Sequence, residues 1–587
     1  MVWRAISNIK NILVRQQTEI VSIAFMLAII GLATKFFGLL FNSLAAGYLG
    51  TEAYNQFIFA ANIPELITQI ILFGTISASV LPILSSVLEE KGQARLARVF
   101  STLINMSLVV FVIISVLIAI GAGWLMPWLI ENVIRPETPI TKEQMDELVM
   151  MLRVMMIPQV ILAISIYLST VLNLFERFLV PQLAPLFYNL GRIAAIYLFI
   201  PILGASPWVL VWGTVIGSVV HLLIQIPLVR YVGLAYKPVI DTGDYYIHRI
   251  GTVAVPRIGS MSAEQIGIAV DRFIAFGLVG SSLAFYNLAV LIISVPLSLI
   301  GSSFATASFP VLAKAFAKND RILASQIFTR ILNQVLFFSI PAAILILVLR
   351  VPISRLSFGI FGDEIGFFET YSIAWVLLFF APGIVFESLR SLLYRAFYAA
   401  HDTLRPLAIS FVLLVGGITS GILLTNYFSH FDQFNIFALE FNLEYFFERE
   451  SGVAAVAGLA LSSSIMFTIE ALLLIAWLNR RYLHLHWREL VMPILRKLFA
   501  GFAMFIFAYF TYKIWAGLET SERTLPLILL SATTSISSLM IYIGASGILR
   551  VQEVQVYLDF LGKHPNINST KKLIKRFLTF DPIPETY

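Results

Sequence analysis

Cysteine is absent from the 587 residues, which excludes disulfides, thiolate nucleophiles and Cys-ligated metals. Charge is scarce as well. Asp, Glu, Lys and Arg make up 13% of the chain against 59% hydrophobic residues, a profile that no water-soluble domain has. Catalytic signatures are missing too: there is no P-loop, no HExxH pair and no nucleophile elbow. The close pair His484 and His486 lies in a basic turn without carboxylates. The net charge of +6 is spread over loops, so neither an enzyme nor a nucleic-acid partner is expected.

What is present is apolar sequence in runs of about 20 to 30 residues, each long enough to cross the hydrocarbon core as a helix. A barrel would need strands of about 10 residues with alternating polarity. The fold class is therefore an all-α polytopic membrane protein with about fourteen transmembrane helices. Basic residues fall in alternate loops, for example Lys91, Arg95 and Arg98, then Lys314, Lys318 and Arg321, then Arg480, Arg481 and Arg488. Those loops are expected in the cytoplasm, which places both termini there. The intervening loops are short or acidic, as in the stretches 131–147 and 432–450. Trp3, Ile6, Ile9 and Leu13 share a helical face, with Arg4, Lys10 and Arg15 elsewhere, a pattern suited either to an interfacial helix or to a frayed basic terminus. No cleavable signal peptide precedes the first span.

The chain repeats internally. Pro82, Leu84, Phe100 and Asn105 recur 228 residues later as Pro310, Leu312, Phe328 and Asn333, and Tyr54-Asn55 with Pro64 recur as Tyr286-Asn287 with Pro296. Six spans separate the copies, so the halves share one orientation, as in carriers built from parallel repeats. The resulting division is an interfacial segment 1–18, an N-lobe 19–235, a C-lobe 236–480, two appended helices in 481–548 and a basic tail 549–587. The prolines are expected to kink or end helices.

Ionisable residues inside such helices are expensive and mark function unless paired. Lys35 lies near the middle of the first apolar run. Glu65 follows Pro64, and either forms a structural pair with Lys35 or serves coupling or gating. Glu387 and Arg390, three residues apart, share a helix face and are expected to pair. Arg192 and Glu470 lie near span middles and face the bundle without an assigned role, and Arg257 follows Pro256 at the start of span 7. Asn42, Asn55, Asn62, Asn189 and Asn287 suit sugar hydroxyls or interhelical hydrogen bonds.

Two segments carry a family likeness. LNLFERFLVPQLAPLFYN (Leu172 to Asn189) and YRAFYAAHDTLRPLAI (Tyr394 to Ile409) resemble the loops after spans 4 and 10 of the MurJ/MviN lipid II flippases. The spacing of Asn62, Pro64, Gly74, Ser77 and Pro82, and that of Pro296, Gly301, Thr306 and Pro310, fits as well. The resemblance implies a flippase of the multidrug/oligosaccharidyl-lipid/polysaccharide exporter superfamily in the bacterial cytoplasmic membrane. Its substrate would be a polyprenyl-pyrophosphate-linked peptidoglycan precursor, moved by alternating access. The family pattern has arginine at Lys35, Arg-Asp at Phe41-Asn42, and arginines at Asn62 and Leu291, so only Lys35 keeps its charge. The family's span 7 lines the cavity, where this chain has Glu264, Gln265, Asp271 and Arg272. Expected substrate contacts are Lys35, Arg272, Asn42, Asn55, Asn62 and Asn287, with Glu65, Glu264 and Asp271 for coupling or gating. No metal or cofactor is expected, and drive would come from a monovalent cation gradient, the membrane potential or the substrate gradient. Partners would be the lipid-linked saccharide, membrane lipids and cell-wall synthesis enzymes. The lost charges leave two alternatives, an exporter of another lipid-linked oligosaccharide or amphipathic drug, and a scaffold that does not transport.

Overall fold

In a bilayer every backbone N–H and C=O must be satisfied within its own segment, so apolar runs of this length close into helices. A computed structural model describes residues 20–70, 80–234, 236–318, 320–362, 364–430, 433–436, 439–442, 453–485, 487–516 and 524–554. The interfacial segment, Gly74, Ser77, His486 and nearly all of the basic tail lie outside the described residues, as do the side chains of Pro256 and Arg257.

The helices are α1 (Ile20–Thr68), α2 (Val80–Trp128), α3 (Lys142–Leu174), α4 (Leu179–Leu203), α5 (Pro207–Leu223), α6 (Ile226–Val232), α7 (Tyr245–Gly277) and α8 (Ser282–Pro296). They continue as α9 (Ser303–Ala317), α10 (Arg321–Val348), α11 (Arg350–Phe358), α12 (Phe367–Ala399), α13 (Leu404–His430), α14 (Ala457–Arg481), α15 (Trp487–Ala516) and α16 (Thr524–Ile548). Among the described residues, 12 helices are long and apolar enough to cross a membrane. Fourteen crossings are consistent with this once α1 is divided at its internal turn and α7, depressed in hydropathy by its own charges, is included. The turns inside α1 and α2 are single residues: Gly50 (φ 81, ψ 159) and Gly92 (φ 76, ψ 177), a backbone conformation that only glycine adopts cheaply.

Local chemistry sets several ends. Thr141 and Gln144 form a capping box at α3, Ser206 caps α5 ahead of Pro207, and Asp244 caps α7 by accepting from the Tyr246 N–H. The repeat-equivalent prolines are followed by a change of helical register. Residues 69–70 after Pro64 and Leu297–Ser302 after Pro296 are π-helical, which relieves the missing N–H by widening a turn. One departure from all-helix sits in the acidic loop, where β1 (Gln433–Ile436) and β2 (Leu439–Asn442) pair antiparallel, with Gln433 opposite Asn442.

Contacts divide the chain into two compact units. The first comprises residues 1–295, 354–380 and 407–466. Within it α4 packs on α5 and on α1, and α2 packs on α3. A core built from Val80, Leu84, Phe100, Tyr167, Val171 and Ile250 joins α2, α3 and the start of α7. The connector before α7 is sewn onto α2: Asn105 Nδ2 donates to the Lys237 and Val239 carbonyls (3.3 and 3.0 Å), the Tyr236 hydroxyl donates to Asn105 Oδ1 (2.7 Å), and the Lys237 N–H donates to Ser101 Oγ (3.0 Å). Arg95 pairs with the capping Asp244 at 2.6 Å.

The second unit comprises residues 296–353, 381–406 and 467–587. Here α15 and α16 pack on each other and α15 packs on α10. The segment before α15 is held in kind, since the His484 N–H donates to Ser325 Oγ (2.8 Å). Lys497 of α15, fully buried, donates to Asn333 Oδ1 (2.7 Å) and pairs with Glu553 (3.0 Å).

Candidate functional site

Residues 55, 58, 62 and 65 return to one helix face every three or four positions, so the second half of α1 presents Asn55, Asn62 and Glu65 together. Opposite stands α7. Arg272 NH1 donates to Glu65 Oε2 at 2.9 Å and reaches Asn62 Oδ1 at 3.5 Å, while Asn62 Nδ2 donates to the Ala269 carbonyl at 3.0 Å. Asn62 is 1% exposed, so both ends of its amide are committed to α7.

One to three turns nearer Gly50, α8 joins the same layer. Asn55 Oδ1 accepts from the Ala284 N–H (3.0 Å), and Asn287 Nδ2 donates to the Tyr54 hydroxyl (2.9 Å), which donates to Asn42 Oδ1 (2.6 Å). Asn42 in turn donates to the Gly38 carbonyl (2.7 Å). Tyr286 donates to Asp271 at 3.1 Å. Residues that repeat along the chain thus meet in space, Tyr54-Asn55 of one copy touching Ala284 and Asn287 beside the other.

Of the expected contacts, Asn42, Asn55, Asn62, Asn287, Glu65, Asp271 and Arg272 form one layer. Lys35 does not join it. It is exposed, two turns before Asn42, and makes no hydrogen bond or ion pair among the described residues. The expected Lys35–Glu65 pair is accordingly corrected to Arg272–Glu65. Lys35 and Glu65 lie equally far from Gly50 in sequence, but it is the α7 guanidinium that reaches the carboxylate. Glu264 is exposed, two turns from Asp271 along α7. The Arg272–Glu65 pair is partly open, with side chains 21% and 44% exposed, and such a pair contributes about 1 kcal/mol or less.

Arg192 of α4 enters the layer from a direction that its sequence did not signal. Its guanidinium carbon lies 3.5 Å from the centre of the Phe41 ring, 5.1 Å from Tyr188 and 6.0 Å from Phe57. Gly217 of α5 makes room for this: a Cβ there would come within 2.7 Å of the Tyr188 carbonyl oxygen and 2.9 Å of Arg192 Cγ. Arg192 makes neither an ion pair nor a hydrogen bond among the described residues, and its Nε is buried without a partner. Ring faces return about 0.5 to 2 kcal/mol, less than the about 2.5 to 3.5 kcal/mol that a central charge costs.

The second unit holds charge differently. Arg390 grips Glu387 through two nitrogens (2.5 and 2.9 Å), as the spacing predicts, and also reaches Glu470 (3.2 Å), whose other oxygen accepts from Tyr394 (2.5 Å). Glu470, isolated in sequence, is thereby explained. The Asp-Thr motif is structural as well: Asp402 accepts from the Arg405 side chain and from the Tyr482 hydroxyl (3.0 Å), fixing the turn into α13.

The sequence model described as lipid II flippase MurJ matches residues 45–432. Curated relatives include the probable lipid II flippase MurJ of Buchnera aphidicola, 24% identical over 406 residues, covering 68% of this chain and 77% of that one. That of Haemophilus influenzae is 22% identical over 490 residues, covering 81% and 89%. The lipid II flippase MurJ of Burkholderia cenocepacia is 24% identical over 397 residues, covering 65% and 74%. Among solved structures, a lipid II flippase MurJ in an inward closed conformation superposes with a TM-score of 0.66 at 18% identity, covering 89% of this chain and 98% of that one. An inward-facing MATE family multidrug transporter follows at 0.59 and 14%, covering 76% and 94%. At these identities the structures establish the fold.

Proposed function

Because this chain belongs to the MurJ lipid II flippase family, we propose that it carries lipid II across the bacterial inner membrane as a multi-pass transporter. The observation that carries the reading is the family match over residues 45–432, a stretch that contains the polar layer from Tyr54 to Asn287. A pyrophosphate and its sugars cannot enter hydrocarbon, so their passage needs polar groups at membrane depth while the prenyl tail stays in lipid. The layer supplies amides for sugar hydroxyls (Asn42, Asn55, Asn287) and a partly open Arg272–Glu65 pair whose cation can exchange a carboxylate for a phosphate.

Rocking of an N-lobe 19–235 against a C-lobe 236–480, with both termini in the cytoplasm, is part of the same proposal. So is drive by a monovalent cation gradient or the membrane potential, with Glu65, Glu264 and Asp271 as coupling groups. The work is translocation rather than covalent chemistry, and enzymes that make and consume lipid II are its natural neighbours. In cells depleted of their own lipid II flippase, this chain is expected to restore growth and the appearance of lipid II in the outer leaflet. Growth arrest with normal membrane insertion of the chain would refute the reading. The apolar residues at Phe41 and Leu291, where the family pattern is cationic, favour one second reading, a carrier of a different lipid-linked saccharide. Competition between lipid II and other polyprenyl-linked glycans for the purified chain separates the two.

A further inference from the structure

Arg192 is a guanidinium of the polar layer that pairs with no carboxylate among the described residues. Arg272 faces Glu65 at 2.9 Å, and Asp271 accepts from Tyr286 at 3.1 Å, whereas Arg192 has three aromatic rings and an unbonded Nε. A guanidinium carries five N–H donors in a planar fork, and rings satisfy none of them along the plane of that fork. The rings hold it flat: Phe41, wholly buried, lies 3.5 Å beneath, and Gly217 admits α5 so closely that the Arg192 stem cannot retreat. The side chain as a whole is only partly buried, so donors remain within reach of an incoming group. The Tyr54 hydroxyl, which bridges Asn42 and Asn287, lies in the field of both Arg192 and Arg272.

A fixed, ring-backed fork with free donors and no counter-ion is complementary to a tetrahedral oxyanion. We propose that Arg192 is an anion contact of the transport site and takes the phosphate end of the lipid-linked substrate. The proposal rests on the transport reading above. It assigns the pyrophosphate to α4 and leaves the asparagines of α1 and α8 for the saccharide.

The test uses the full chain in lipid nanodiscs and three probes: undecaprenol, undecaprenyl pyrophosphate and lipid II. Arg192→Gln is expected to bind the pyrophosphate lipid about tenfold more weakly and undecaprenol unchanged. Arg192→Lys, which keeps the charge but not the fork, is expected to fall between Gln and the parent. Phe41→Leu, which removes the ring and keeps the cation, should preserve the preference for pyrophosphate over undecaprenol. If the Gln variant does not fold, the Lys variant and Phe41→Leu decide. Parent-like affinity of every folded Arg192 variant for the pyrophosphate lipid would overturn the proposal, as would equal loss of both lipids, which indicates packing alone. Should the parent bind undecaprenyl pyrophosphate and reject lipid II, the lipid II reading fails while the anion contact stands.

Discussion

Asn105 and Asn333 occupy equivalent positions of the repeat, and each holds the segment that follows its own six-span block, yet by opposite means. Asn105 uses neutral bonds to the carbonyls of a surface connector. Asn333 accepts from a lysine with no exposure at all, itself paired with Glu553. The contrast extends to the ionic groups. Those of the first unit are partly open, the Arg272–Glu65 side chains being 21% and 44% exposed. In the second unit the pairs away from the Asp402–Arg405 turn are closed: Arg390 with Glu387 and Glu470, and Lys497 with Glu553. A closed pair has only protein to answer to and serves packing and register. An open pair can change partners, which is what a transport site requires.

Removing one member of a closed pair should be the most costly change. Glu553→Ala strands the buried Lys497 ammonium and is expected to cost about 3 to 5 kcal/mol, read as lowered thermal stability in detergent, with transport falling in parallel. The double change Lys497→Met with Glu553→Leu should recover most of it, because an apolar replacement of a buried pair is often neutral. Failure to recover would mean that the closed pair does more than pack.

Glu65→Gln sharpens the contrast from the other side. The open pair is worth about 1 kcal/mol or less, so folding should hardly change, whereas rescue of flippase-depleted cells should drop far more than stability does. Equal losses in both would make Arg272–Glu65 a structural pair like the others. Asn105→Ala should touch transport least. It removes three neutral bonds, each worth about 0.5 to 1.5 kcal/mol, and is expected to raise protease sensitivity of the 233–244 connector with little effect on transport.

Much of this architecture is written locally. Apolar run length gave the spans, three-residue spacing gave Glu387–Arg390, and the prolines flagged where helices change register, while the Gly50 and Gly92 turns went unread. What the sequence hid is long-range: Arg272 and Glu65 are separated by 207 positions, and no periodicity couples them. Lys35 looked like Glu65's partner because both are charges in the first two spans, which says nothing of which way a side chain points. Arg192 was visible as a costly charge, but two of its three ring contacts, Phe41 and Phe57, lie far away in sequence on α1. Lys497 sits outside the repeat in a basic region, where its burial has no local sign.

Gly50 and Gly92 are turns of one residue each, and that sets how the helical segments beside them can move. Sliding a helix by one turn past its neighbours needs about 5.4 Å of spare chain at each end, and a single glycine stores none. Pivoting needs only changes in φ and ψ, which glycine gives freely. At each of these glycines the flanking helical segments are therefore pinned end to end and free to hinge. Asn62 and Glu65, on the helical stretch 51–68 that begins at the Gly50 pin, must swing about it rather than ride up and down.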